Sequence, residues 1–231
     1  MARRRQRTTG IQRRERASEA ALGRRLDERS SSALPDWRLL LIGGVVIIGI
    51  IILALVLLLG GGQSANAGVQ FPDDGNAHVG IGVDCRADPR SDPNCGADPY
   101  SSLPAASGPH WDPNGVANWG VYSTPQPETQ LIHSLEHGGI VIWYDPEGLD
   151  ADGVDALTRY VNAQTATGIS GRYKFILSPW GGTDPLPSPV VATAWRYVLE
   201  LETADTDAID EFARARYGRS PEPNGGPAPP G

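Results

Sequence analysis

All four histidines of the chain, His78, His110, His133 and His137, fall within sixty consecutive residues. Imidazole is the commonest protein ligand for transition metals, so a metal site is the first chemistry this clustering suggests. His133 and His137 stand four positions apart on a predicted helix, which stacks their rings one turn apart on one face, the spacing that holds a single ion. With His110 they form the expected ligand set, and His78 and Glu136 serve as auxiliary ligands or as partners behind the first three. Zinc would take such an N/O set as a tetrahedron and copper as a flatter arrangement, so the residues admit either metal. A purely structural role stands beside this one. His137 in the last helical turn would be favoured by the helix dipole, His133 would bond a buried carbonyl, and His110, after Ser107-Gly108-Pro109, would be a turn residue.

His133-Ser134-Leu135-Glu136-His137 also fits the H-x-x-E-H pattern of inverted zinc peptidases, in which two histidines bind zinc and the glutamate activates water. That chemistry needs a long helix under the motif and a further acidic ligand downstream. Here Gly138-Gly139 stops the helix at once, and only Glu200, Glu202 and Glu211 are formally available. No spacing singles out the carboxylate pair that glycan cleavage would require. No catalytic residue is assigned, and a non-enzymatic role is the expectation.

Cys85 and Cys95 are the only cysteines. They enclose a polar, turn-rich stretch, Asp88-Pro89-Arg90-Ser91-Asp92-Pro93-Asn94, and lack the C-x-x-C spacing of redox motifs, so a structural disulfide is expected. Closing so short a loop contributes on the order of 2–3 kcal/mol.

Residues 69–217 supply the elements that would position these groups. The stretch to about Pro125 is crowded with Pro, Gly, Asp and Asn and predicts loops with few strands. Regular structure follows. Glu128 to His137 predicts a short helix after two prolines, stopped by Gly138-Gly139, and Ile140 to Tyr144 predicts a buried strand. Asp152 is the expected cap of a helix running to about Thr167, and Tyr173 to Leu177 predicts another strand. Val190 to Leu201 alternates as one strand would, and Ile209, Phe212, Ala213 and Tyr217 mark a last helix. With a leading strand at Val121-Tyr122, the fold class is α+β, a single sheet flanked by helices, in an order that matches a thioredoxin-like topology.

Charge divides the rest of the chain. Residues 1–38 carry eleven Arg against five acids, whereas the chain as a whole is at −7. Leu39 to Leu59 then runs for 21 residues without charge or proline, enough at about 1.5 Å per residue to cross a hydrocarbon core roughly 30 Å thick. One transmembrane helix is therefore expected. Arginines flanking a first span are retained on the cytoplasmic side, which puts residues 69–217 outside the cytoplasm in the cell membrane's envelope face. The basic tail would meet anionic lipid heads of the bilayer. Its arginines are not interleaved with aromatics and it has no recognisable nucleic-acid-binding module, so no nucleic acid is expected as a partner. A cleaved signal peptide, with Ala65-Asn66-Ala67 as its cleavage site, is the rival account of the same segment. Residues 60–68 predict a flexible spacer and residues 218–231 a disordered tail.

The words Gly75-Asn76-Ala77-His78-Val79, Ser107-Gly108-Pro109-His110, Trp119-Gly120-Val121-Tyr122 and His133 through Tyr144 resemble a bacterial family designated domain of unknown function 3105. The resemblance spans about residues 71–217. It implies a membrane-anchored or exported protein and supplies no reaction, and it places all four histidines on the family's pattern. The cysteine-bearing stretch, roughly 86–97, is less typical of that family. Three functional classes follow: a metal-binding envelope protein, a non-catalytic module that meets an unknown envelope partner, and an H-x-x-E-H hydrolase.

Overall fold

The computed structural model describes residues 66–167 and 171–230. The basic tail, the apolar stretch expected to span the membrane and most of the spacer lie outside the described residues. Among the described residues no helix is long and apolar enough to cross a membrane.

The described elements, in chain order, are β1 (Val69–Gln70), β2 (His78–Val79), β3 (His110–Trp111), β4 (Gly120–Val121), α1 (Glu128–Glu136), β5 (Ile140–Tyr144), α2 (Ala151–Thr167), β6 (Phe175–Pro179), β7 (Val190–Ala194), β8 (Tyr197–Leu201) and α3 (Thr206–Arg216). Six strands form one mixed sheet in the order β1-β8-β7-β5-β6-β4, and β2 pairs with β3 in a separate two-stranded sheet. β4, β6 and β5 run parallel, while β7, β8 and β1 alternate antiparallel. The fold is α+β, a mixed sheet flanked by three helices.

β5 explains why both faces must be covered. Its five residues, Ile-Val-Ile-Trp-Tyr, are all buried, and alternation sends Ile140, Ile142 and Tyr144 to one face and Val141 and Trp143 to the other. The first set packs with Leu157 and Val161 of α2 and Ile209 and Phe212 of α3. The second packs with Leu131, Ile132 and Leu135 of α1 and with Trp119, Trp180 and Trp195.

Several boundaries differ from the expectations, among them the strand expected over Tyr173 to Leu177, which runs Phe175–Pro179. α2 begins at Ala151, and the side chain that accepts from its first turn is Asp150, through Gly153 N–H at 2.8 Å, rather than Asp152. Residues 190–201 form two strands, joined where Ala194 pairs with Tyr197. The turn falls on Trp195-Arg196, with Arg196 at φ 65°. Backbone bonds hold that conformation: Arg196 N–H donates to Ala106 O and Arg196 O accepts from Phe71 N–H, both at 2.8 Å. Residues 218–230, read from composition as disordered, contain no helix or strand but run back over the end of α1.

Candidate metal centre

The separate two-stranded sheet brings the first two histidines together. β2 and β3 are parallel with His78 opposite His110, and the ladder is extended by Gly108 N–H to Gly75 O, His110 N–H to Ala77 O and Asp112 N–H to Val79 O. Residues directly opposite in a ladder present their side chains on the same face, and the two rings lie 4.9 Å apart, edge to face.

α1 supplies the other two groups. His133 and Glu136 are three positions apart in its last turns and so share a face. The His133 ring is 4.9 Å from that of His110 and 5.4 Å from that of His78. The helix ends immediately after Glu136 in a Schellman arrangement, with Gly138 N–H on Leu135 O at 2.9 Å and Gly139 N–H on Ser134 O at 3.0 Å. Gly138 sits at φ 78°, a conformation that glycine adopts without penalty.

His78, His110, His133 and Glu136 each offer a ligand atom, and these four atoms lie within 4.8 Å of one another. The group could hold a metal ion. His110, His133 and Glu136 are at most 1 % exposed, whereas the His78 side chain is 42 % exposed, so the centre is closed on the helix side and open to water at His78.

Hydrogen bonds orient the buried rings. His110 Nδ1 donates to Gly108 O at 2.8 Å, and His133 Nδ1 donates to Trp111 O at 2.7 Å. A carbonyl can only accept, so both Nδ1 atoms carry hydrogen and each Nε2 is the nitrogen left to take a metal or a further proton. His110 Nε2 lies 2.9 Å from Glu136 Oε2, and His78 Nε2 lies 3.9 Å from the same oxygen. Glu136 Oε1 is buried without a hydrogen bond. Burial would raise the Glu136 carboxyl, but the hydrogen bond and charge of His110, helped by Asn76 and His133, hold it below its usual range. His133 is driven the other way: burial and then the neighbouring His110 lower its imidazole to about 4, so it is neutral at physiological pH.

The expected ligand His137 is not brought into this group. Its backbone has left the helix at φ −84°, ψ 14°; its ring lies 4.7 Å from that of His133, and its Nδ1 faces Glu222 O at 3.3 Å. The C-terminal segment packs on it so closely that a Cβ on Gly225 would fall 2.0 Å from His137 Nδ1. The H-x-x-E-H word is therefore only partly represented in the group. Only one of its histidines faces the centre, the glutamate is among the candidate ligands, and Glu200, Glu202 and Glu211 are not part of the group.

The disulfide joins Cys85 and Cys95, with Cα atoms 5.3 Å apart. Both sulfurs are buried against Val79, beside Val83, Tyr100 and Trp111. Spacing alone gave no sign that this bridge lies directly behind β2 and β3.

No curated protein and no solved structure matches the chain. The family described as "Protein of unknown function (DUF3105)" matches residues 94–228. That stretch holds His110, His133 and Glu136 and continues through the C-terminal segment, while His78 and Cys85 precede it. With more than half of its length so matched, the chain belongs to the DUF3105 family.

Proposed function

We propose that this protein binds one transition-metal ion, zinc or copper, through the Nε2 atoms of His110 and His133, a nitrogen of His78 and the Glu136 carboxylate, on a domain held outside the cytoplasm by a membrane span at residues 39–59. The observation that supports this most directly is the pair of carbonyl-locked imidazoles turned toward a buried, half-satisfied carboxylate. Carbonyls behind metal-binding histidines fix the tautomer and raise ligand basicity, and both buried rings have one. A carboxylate buried with an oxygen left unbonded is expensive, and an ion between it and three imidazoles would remove that penalty.

Geometry supports the same conclusion with a stated margin. Donor atoms around a tetrahedral ion with bonds of about 2.0–2.1 Å lie roughly 3.4 Å apart, so a group spanning up to 4.8 Å must close by up to about 1.4 Å at its widest. His78, the exposed member, can close this distance by rotation of its side chain while its strand stays in place. A bound divalent ion would supply positive charge and Lewis acidity at a face open to water.

A second reading is favoured by the His110–Glu136 bond of 2.9 Å: a proton shared by this pair makes the cluster a structural element of a non-catalytic interaction module. The thioredoxin-like topology is supported by the β5–α2–β6 crossover followed by the β7–β8 hairpin and α3, and no redox chemistry is carried over with it. Elemental analysis of the full-length chain, purified in detergent without a polyhistidine tag, separates the two functional readings. The metal reading predicts about one equivalent of zinc or copper per chain, lost in His110→Ala and His133→Ala. A stable chain that holds no ion after incubation with either metal would leave the interaction module.

A further inference from the structure

We infer that the loop closed by Cys85 and Cys95 is a clamp that holds His78 in its ligand position, so that the metal centre is complete only in the chain whose two cysteines are joined. This rests on the proposed metal site and identifies what assembles it.

His78 needs such a device. It is the exposed member of the group, and its strand, β2, is two residues long. On one side β2 is fixed by the ladder to β3. On the other the disulfide loop acts as its neighbour: Asn94 Nδ2 donates to His78 O at 2.8 Å, and Gly80 N–H donates to Asp92 Oδ2 at 3.3 Å. The loop is rigid where it does this, because Asp92 Oδ1 accepts from Asn94 N–H at 2.9 Å and Cys95 N–H donates to Asp92 O at 3.1 Å. The bridge fills the space behind Val79, the residue next to His78, and behind Trp111, the residue next to His110.

The other end of the loop reaches the helix that carries the remaining ligands. Arg86, next to Cys85, donates through Nε and Nη2 to both oxygens of Glu128 at 2.7 and 2.9 Å, and through Nη2 to Ser102 O at 2.8 Å. Glu128 is the first residue of α1. One closed loop thus ties the strand bearing His78 to the helix bearing His133 and Glu136, and the bridge makes the two attachments a single rigid unit. Cut it, and Arg86 and Asn94 become the two ends of a flexible segment whose ordering must be supplied on metal binding.

The bridge must form before the ion is held at full strength. Joining the cysteines creates one S–S bond and passes two electrons and two protons to an oxidant, which by chemical class is another disulfide acting through thiol–disulfide exchange. With both cysteines at most 2 % exposed, that exchange precedes or accompanies folding.

Cobalt(II), whose visible d–d absorption reports coordination, is the probe. The full-length chain in detergent is titrated in six forms: native, Cys85→Ser with Cys95→Ser, Asn94→Ala, and each of these three combined with His78→Ala. The expected result is that loss of the bridge weakens cobalt binding by about ten- to a hundredfold, the range for removing a group that orients a ligand, and Asn94→Ala by less. In both cases the spectrum shifts to that of His78→Ala, and in the His78→Ala background neither change weakens binding further. Native affinity in the bridge-free chain, or equal weakening with and without His78, overturns the clamp while leaving the metal site standing. Failure of the native chain to bind cobalt overturns the metal site and this inference together. Asn94→Ala keeps the bridge and carries the test if the serine pair does not fold.

Discussion

Glu136 is where the competing interactions meet. Two of its neighbours, His110 and His78, approach the same oxygen, while the other oxygen is buried without a hydrogen bond. A proton and a metal ion compete for that space, and charge decides: Glu136→Gln keeps the shape and removes the negative charge. It is expected to weaken zinc binding by at least about a hundredfold, read by competition with a chromophoric chelator, since ligand charge counts for more than an orienting partner. His137→Ala is expected to leave the stoichiometry unchanged. His133 gives a pH prediction for the metal-free chain. Its folded pKa of about 4 lies below the 6.5 of an unperturbed imidazole, so between those values the unfolded chain binds the extra proton and stability falls as pH falls. The loss, complete near pH 4, is on the order of 3 kcal/mol, and urea unfolding of native and His133→Asn chains at pH 7 and pH 4.5 should show it shrinking in the variant. All four histidines and Glu136 could be picked out from residue type and clustering alone. Their ranking could not: four-residue spacing favours His137 only if the helix continues, and it ends one residue too soon, while the parallel pairing of His78 with His110 leaves no periodic trace.

At the scale of elements, the end of α1 is a junction. Its Schellman turn was legible in Gly138-Gly139, but what packs there was not. Lys174, 6 % exposed, donates to His137 O at 2.9 Å and to Pro223 O and Gly225 O at 2.8 Å, and burial lowers its pKa. Trp119 Nε1 donates to Pro227 O at 3.0 Å, and Glu222 N–H donates to Glu136 O at 3.1 Å. A Pro/Gly-rich composition signals the absence of helix and strand, and here that is true; it carries no information about a buried ammonium that gathers carbonyls. Lys174→Met would leave those carbonyls without their charged donor. It is expected to destabilise the domain by about 3 kcal/mol, read as a lower urea midpoint with unchanged slope, and to raise protease sensitivity near residue 223. The split of residues 190–201 escaped notice for a related reason: Trp195-Arg196 has none of the Gly, Asn or Pro that mark a tight turn, and Arg196 is held in its left-handed conformation by bonds to Ala106 and Phe71 rather than by local preference.

The whole molecule joins this domain to a segment that its composition reads as a membrane span. Twenty-one uncharged residues after eleven arginines would place the disulfide in an oxidising compartment and the metal centre in the envelope, where such a clamp could close. A membrane-impermeant maleimide probe of a cysteine added after Gly231, in the background of native Cys85 and Cys95, should label intact cells; labelling only after lysis would remove both the anchor's orientation and the oxidising setting. The sheet, with both faces of β5 covered, was legible because buried strands and amphipathic helices leave strong periodic signals. The centre sits apart from that sheet, on a two-residue pairing inside a loop-rich region, where periodicity is silent.

The central claim is that three histidines and a buried carboxylate hold one ion. X-ray absorption at the zinc or copper edge of the full-length, metal-loaded chain measures the ligands directly. The account predicts one ion bound by nitrogen and oxygen donors with three imidazoles and no sulfur, and loss of one imidazole in His78→Ala but none in His137→Ala. A sulfur-containing shell, or loss of an imidazole in His137→Ala with none lost in His78→Ala, would contradict it.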